Sequence, residues 1–293
     1  MKSLTNKQPL PQEHFYKICV VGGGMTGAIM ALLLKKSKLF NTNDIAWIMP
    51  NIKIPNDLRT TFYNEESIEL LSKLNIWRDL KKSDYTNVKK IQVFGKKNKT
   101  PLIWNNSNKK QNFGAVVKNK VMLDSIFSKL DDIQKFENFV TNTTCDNFER
   151  TLYFNDKHYI KTNLVLCADG KNSQLRKLLL IKTILKKTGH IAISGFLEQS
   201  KDHEFTATQA FTELGPIGLL PFENKNKINF VLSVEETIYK NISSKNDPEQ
   251  YICEKLENFF SNLNLSFKPI KKINNLKNNL SSWPLDLNFI INP

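Results

Sequence analysis

The sequence predicts a mixed α/β fold in which a parallel strand-helix-strand unit is joined to a largely antiparallel sheet. Three observations carry that prediction. Residues 16–21 form a short apolar run that leads through glycines into a second apolar run at residues 28–34, the order of strand, turn and buried helix. A third run at residues 45–49 closes at Pro50 and would lie parallel to the first through a right-handed crossover. The second half instead offers strands at residues 191–197, 205–211 and 228–234, which read as an antiparallel sheet rather than another crossover array.

Each element between these blocks has its own signal. Asn64 can cap a helix over residues 65–74, with Glu65 and Glu66 in its first turn and Ile68, Leu71 and Leu74 on one face. Asn75 suits a left-handed helix stop. Apolar positions at Ile91 and Val93, then at Leu102 and Ile103, flank the polar segment 95–100 and predict an antiparallel hairpin. A helix is expected over residues 121–130, and strands at residues 151–154 and 164–168 lead into Asp169-Gly170. Asp247-Pro248-Glu249-Gln250 combines an N-cap, a proline at the first helical position and a capping-box glutamine, introducing a helix to about residue 260. The sequence contains no internal repeat and no long linker.

With 293 residues the chain can bury a core without disulfide or metal staples. Hydrophobic residues at 40% and charged residues at 24% exclude wholesale disorder and a membrane-embedded bundle. The apolar stretch at residues 28–34 stops at Lys35-Lys36, far short of a bilayer span, and the polar leader at residues 1–14 lacks the apolar core of a secretory signal. A cytoplasmic location is expected, with at most peripheral association on the inner face of the membrane. Cys19, Cys145, Cys167 and Cys253 are scattered, so reduced and mostly buried thiols are expected, with no metal site. His14, His158, His190 and His203 are equally dispersed and define neither a ligand set nor a nucleophile system. The net charge of +14 invites a nucleic-acid reading, but all except four of the 42 basic residues are lysine. Base and bidentate phosphate recognition favour the arginine fork, so a solvated lysine-rich surface is expected and no specific nucleic acid.

Two motifs carry chemistry. Gly22-Gly23-Gly24-Met25-Thr26-Gly27 fits the G-x-G-x-x-G pattern between a predicted strand and a predicted helix. Gly22 would permit the tight turn, Gly24 would leave room for a pyrophosphate against the backbone, and Gly27 would let helix and strand pack closely. The helix N-terminus then offers free N–H groups to the phosphates. An acidic residue usually ends the second strand to bind the adenosine ribose; here the strand ends Ile48-Met49-Pro50-Asn51, and Asn51 offers a neutral substitute. The second motif is Asp169-Gly170 after the apolar run 164–168, with Ser173 able to cap the next helix. Alone it is a common turn; with the first motif it places a carboxylate beside the same cofactor.

With these residues in view, the sequence resembles the flavin-dependent aromatic monooxygenases, and within them the hydroxylases of ubiquinone biosynthesis. The resemblance runs from Tyr16 to the C-terminus. Gly22, Gly24, Met25, Thr26 and Gly27 look like the family's FAD pyrophosphate loop. Asp57-Leu58-Arg59, followed by Leu70 to Trp77, resembles its Asp-x-Arg segment and helix, which implies that Arg59 contacts the cofactor. Gly114 to Asn119 is similar to the segment entering the next helix. Asp169 and Gly170, with Ser173 and Arg176, match the motif that serves FAD and, in this class, NAD(P)H. Gln209-Ala210-Phe211 and Gly215 to Phe222 look like the substrate-domain strand and the loop near the flavin ring.

The resemblance implies a Rossmann-like three-layer FAD-binding domain, residues 15–82 and 112–182, interleaved with an antiparallel-sheet substrate domain, residues 83–111 and 183–281. It implies FAD as cofactor, NAD(P)H as electron donor and a polyprenylated phenol as substrate, with the flavin doing the oxygen chemistry and no catalytic side chain assigned. Phe196, Phe211 and Phe222 would line a lipophilic cavity or pack the sheet. Residues 282–293 look like the start of a return to the FAD domain, and the family's Gly-Asp motif and flavin-covering helix do not follow. The alternative expectation is therefore a truncated, non-catalytic or split-subunit relative. Such a relative would need a complementary C-terminal fragment, or other ubiquinone-pathway proteins, to bind flavin.

Overall fold

Continuous apolar runs belong to strands covered on both faces, and the first such run, Ile18 to Val21, is buried at the centre of a sheet. The structure, a computed structural model, describes residues 14–50, 59–96, 100–105, 112–155, 158–223, 225–270 and 280–291. The chain divides into two units, the first of residues 1–54, 123–184 and 289–293, the second of residues 55–122 and 185–288.

In the first unit six strands lie in the order Gln134–Glu137, Ile45–Met49, His14–Val21, Tyr159–Cys167, Glu149–Phe154 and Val140–Asp146. The first four run parallel and the last two are antiparallel additions. The helix Met25–Lys36 supplies the crossover between the first two strands in sequence and turns Gly27, Ala28, Ala31 and Leu32 to the interior. These residues fall one turn apart on one face, and three of the four are small, so the helix lies close to the sheet. Trp47, Ile48 and Met49 in the second strand are essentially fully buried, and the Trp47 and Phe127 rings stand 4.8 Å apart.

The second unit is built on an eight-stranded sheet whose central strands are His190–Gln199, Lys227–Glu235, Pro216–Pro221 and Thr206–Phe211. The helices Glu236–Ser243 and Pro248–Phe259 contribute Ile242, Ile252, Cys253 and Leu256 to a core with Phe230, Leu232 and Phe260. A second cluster joins the sheet to three short antiparallel strands, Thr60–Asn64, Gly114–Lys118 and Tyr85–Val88, through Val88, Val116, Phe196 and Phe222. Asn229, fully buried, is satisfied by donating to the Gly195 carbonyl at 2.9 Å and accepting from Thr60 Oγ1 at 2.8 Å.

The expected elements stand where the sequence puts them, with instructive departures. Asn64 caps the helix Glu65–Lys73 by accepting from the Ser67 amide at 2.9 Å, and Asn75 takes the left-handed conformation at φ 58°. Asp247 likewise accepts from the Gln250 amide at 2.9 Å. The sheet of the second unit is not wholly antiparallel, because Thr206–Phe211 pairs in parallel with Lys90–Phe94 of the hairpin. Residues 59–82 and 112–122, expected with the first domain, sit in the second unit, where the three short strands share its phenylalanine cluster. The expectation of mostly buried thiols is corrected: Cys19 and Cys253 are buried, but Cys145 and Cys167 are exposed. Cys145 lies on the outer strand of its sheet, and Cys167 sits at a strand end. Among the described residues no helix is long and apolar enough to cross a membrane.

Replacing either capping side chain leaves first-turn amides without an acceptor, so Asn64→Ala and Asp247→Ala are each expected to cost about 1 kcal/mol in urea unfolding. An unchanged midpoint in both would show that these caps contribute nothing.

Candidate cofactor site

The glycine loop follows directly from the first strand and is fixed on three sides. The Gly22 amide donates to the Ile48 carbonyl at 2.8 Å, so the turn begins inside the sheet's own hydrogen-bond ladder. The Ala168 amide donates to the Val21 carbonyl at 2.8 Å, which carries the pairing of strands His14–Val21 and Tyr159–Cys167 to their shared C-terminal ends. From the other side, the buried Trp47 indole donates through Nε1 to the Gly22 carbonyl at 2.9 Å.

That crowding explains two of the glycines. Gly22 has φ 131°, and a Cβ there would run into the Ala168 carbonyl and lie 2.9 Å from the Asp169 nitrogen. A Cβ on Gly27 would strike the Gly22 carbonyl. Gly24 differs: nothing stands within 4 Å of where its Cβ would be. It is the N-cap of the helix Met25–Lys36, it supplies no side-chain cap, and no acidic residue occupies the first turn. The first amides of an α-helix have no acceptor within the helix, and the dipole gives that end a partial positive charge. The open side of Gly24 and the amides of Met25, Thr26 and Gly27 thus form an anion-receiving corner.

Asp169 stands at the adjacent strand end, next to the Ala168 backbone that meets Gly22. Its carboxylate accepts from the Cys167 thiol at 2.9 Å and from the Leu175 amide at 3.2 Å. Burial opposes ionisation of Asp169, but hydrogen bonds from Cys167, Ser173 and the Leu175 amide outweigh it and hold the carboxyl below the usual aspartate value. The Cys167 thiol, partly buried although the residue is exposed, moves the opposite way, raised by that partial burial and by the neighbouring carboxylate. Ser173 caps the short helix Gln174–Leu178 by accepting from the Arg176 amide at 3.0 Å, and its own amide donates to the Gly170 carbonyl at 3.2 Å. Arg176 closes the turn by donating to the Lys171 carbonyl.

The structure therefore brings together Gly22, Gly24, Met25, Thr26, Gly27, Asp169 and Gly170 in the first unit. Arg59 belongs to the second unit, where its carbonyl accepts from the Asn119 amide at 3.0 Å and its guanidinium lies 5.7 Å from the centre of the Trp283 ring. Asn51, Asp57 and Leu58 lie outside the described residues. Phe196 and Phe222 are buried with ring centres 4.7 Å apart, whereas Phe211 is 45% exposed. A cavity of about 290 Å³ in the second unit, with Phe94, Leu214, Phe259 and Phe260 in its wall, includes none of the three. Among the described residues no group of three His, Cys, Asp or Glu is placed to hold a metal. Sequence reasoning missed Trp47 and Cys167 as parts of the site, because an apolar strand residue and a lone thiol give no sign of the groups they reach.

A parallel sheet with a glycine-rich first turn and an acidic strand end beside it is a Rossmann-like arrangement, and solved structures of FAD-dependent monooxygenases superpose on this chain. PieE, a flavin-dependent monooxygenase solved with FAD and substrate, matches with a TM-score of 0.69 at 11% identity, over 94% of this chain and 50% of its own. PqsL from Pseudomonas aeruginosa, a probable FAD-dependent monooxygenase, matches with a TM-score of 0.69 at 13% identity, over 88% of this chain and 73% of its own. In sequence the chain is similar to the mitochondrial ubiquinone biosynthesis monooxygenase COQ6 of Dictyostelium discoideum, 24% identical over 264 residues, covering 76% of this chain and 53% of the relative. The chain spans about half the length of the curated relatives it matches. No protein-family model matches it.

Two outcomes follow from the packing. Gly22→Ala should cost about 2–4 kcal/mol through strain and displacement of the Ala168 backbone, whereas Gly24→Ala should leave the thermal midpoint nearly unchanged. Equal midpoints for the two variants would contradict the crowding described. Asp169 has a lowered folded-state pKa, so its stabilisation is present above the unfolded value and is lost as pH falls through the folded one. Asp169→Asn should therefore be less stable than the parent at neutral pH, with the gap closing below about pH 4 in denaturant titrations. A gap that persists at low pH would mean the carboxylate's charge is not what stabilises the turn.

Proposed function

We propose that this chain is an FAD-binding, NAD(P)H-dependent monooxygenase of the ubiquinone-pathway type, acting on a polyprenylated phenol. The observation that carries the reading is the meeting of the Gly22–Gly27 loop with the Asp169 strand end at one edge of a parallel sheet. Similarity to COQ6 supports the substrate class, and the likeness to flavin monooxygenase structures supports the fold that the chemistry requires.

The donor set fits a dinucleotide. Gly24 with the Met25, Thr26 and Gly27 amides would hold the diphosphate, because the corner is open, has no side-chain cap and carries no acidic residue in the helix's first turn. Asp169 is an ionised acceptor, so it would serve cofactor hydroxyl groups rather than phosphates, which it would repel. Gly170 would continue that edge. Bound flavin would supply the electron and oxygen chemistry; the protein orients the phenol and excludes water.

A second reading is that flavin is retained only when a fragment carrying the part of the relatives outside the matched region is added. Titration of the purified chain with FAD separates the two. The first reading expects flavin absorbance that survives gel filtration and NAD(P)H oxidation on adding the phenol. The second expects both only when the fragment is present. No flavin uptake under either condition would remove the assignment.

A further inference from the structure

We propose that Trp47 is a positioning residue for the dinucleotide loop, acting through the Gly22 carbonyl; the inference deepens the flavin reading and rests on it. Trp47 lies in the middle of the second strand, is fully buried, and donates its indole N–H to the Gly22 oxygen at 2.9 Å. That oxygen has an unusual situation. Gly22, at φ 131°, turns its carbonyl inward, and the oxygen is so close to Gly27 that no Cβ fits there. A carbonyl enclosed by a strand and a helix, away from water, needs a donor. Trp47 provides one from the neighbouring strand, across 25 residues of sequence.

The consequence reaches the anion corner. The Gly22 carbonyl sets the plane of the peptide that enters Gly23 and Gly24, and through them the direction of the first helix amides. An apolar side chain in its place, even one large enough to occupy the core, would leave this oxygen unpaired and free the peptide to rotate. The large indole thus serves the loop as well as the core. Its ring partner Phe127 packs against it at 4.8 Å and supplies a control for packing alone.

The test compares Trp47→Phe with Phe127→Leu. Both lose stacking in the same core; only the first loses the donor to Gly22. For Trp47→Phe, FAD affinity measured by flavin fluorescence quenching is expected to fall about tenfold. Amide hydrogen exchange over residues 22–28 should rise in the same variant, measured without flavin. Phe127→Leu should lower the thermal midpoint while leaving the FAD dissociation constant and loop exchange as in the parent. Matching exchange and affinity in the two variants would overturn the inference while leaving the flavin reading intact. A parent chain that takes up no FAD would overturn the flavin reading and this inference with it, whatever the exchange data show.

Discussion

The rest of the first unit depends on the close approach of two strand ends, where the Ala168 amide bonds to Val21 and the backbone of Ala168 leaves Gly22 no room for a side chain. Parallel neighbours end at the same level of a sheet, so their following loops necessarily emerge side by side. The loop after the first strand opens a helix, and the loop after the other brings a carboxylate. One supplies donors with a partial positive charge and the other an anionic acceptor, and a dinucleotide has groups for each. Neither loop would make a site alone, because a helix N-terminus binds anions without choosing among them and an Asp-Gly turn has many uses.

The helix and strand pattern was legible because it follows from local chemistry. Asn64 and Asp247 announce helix starts because each offers an oxygen to an amide three residues on. The loop at Gly22–Gly27 was legible because glycine spacing between a strand and a helix records a steric requirement. The three short strands around Gly114–Lys118 were harder to read. Thr60–Asn64 and Tyr85–Val88 are only partly buried, Gly114–Lys118 between them is buried, and their pairing partners lie far apart in sequence. The parallel join between Thr206–Phe211 and Lys90–Phe94 is set by tertiary packing and leaves no mark on either segment.

Site residues divide in the same way. Gly22, Gly24, Gly27 and Asp169 were named from spacing because each occupies a position where chemistry limits the choice of residue. Trp47 carries no such mark: within Ile45–Met49 it reads as one more buried apolar residue, and its N–H finds Gly22 only once the strands are side by side. Cys167 similarly reads as the end of a strand, yet it donates to the Asp169 carboxylate and helps keep it charged. Hydrogen bonds between side chains and distant backbone are the part of a site that one-dimensional patterns miss.

The central claim is that the loop at Gly22–Gly27 and the turn at Asp169 receive one dinucleotide together. Backbone amide chemical shifts recorded while FAD is added would test it most directly. The account predicts that Met25, Thr26 and Gly27 shift with the same saturation curve as Asp169 and Gly170. Saturable binding that moves other amides and leaves these five unchanged would contradict it.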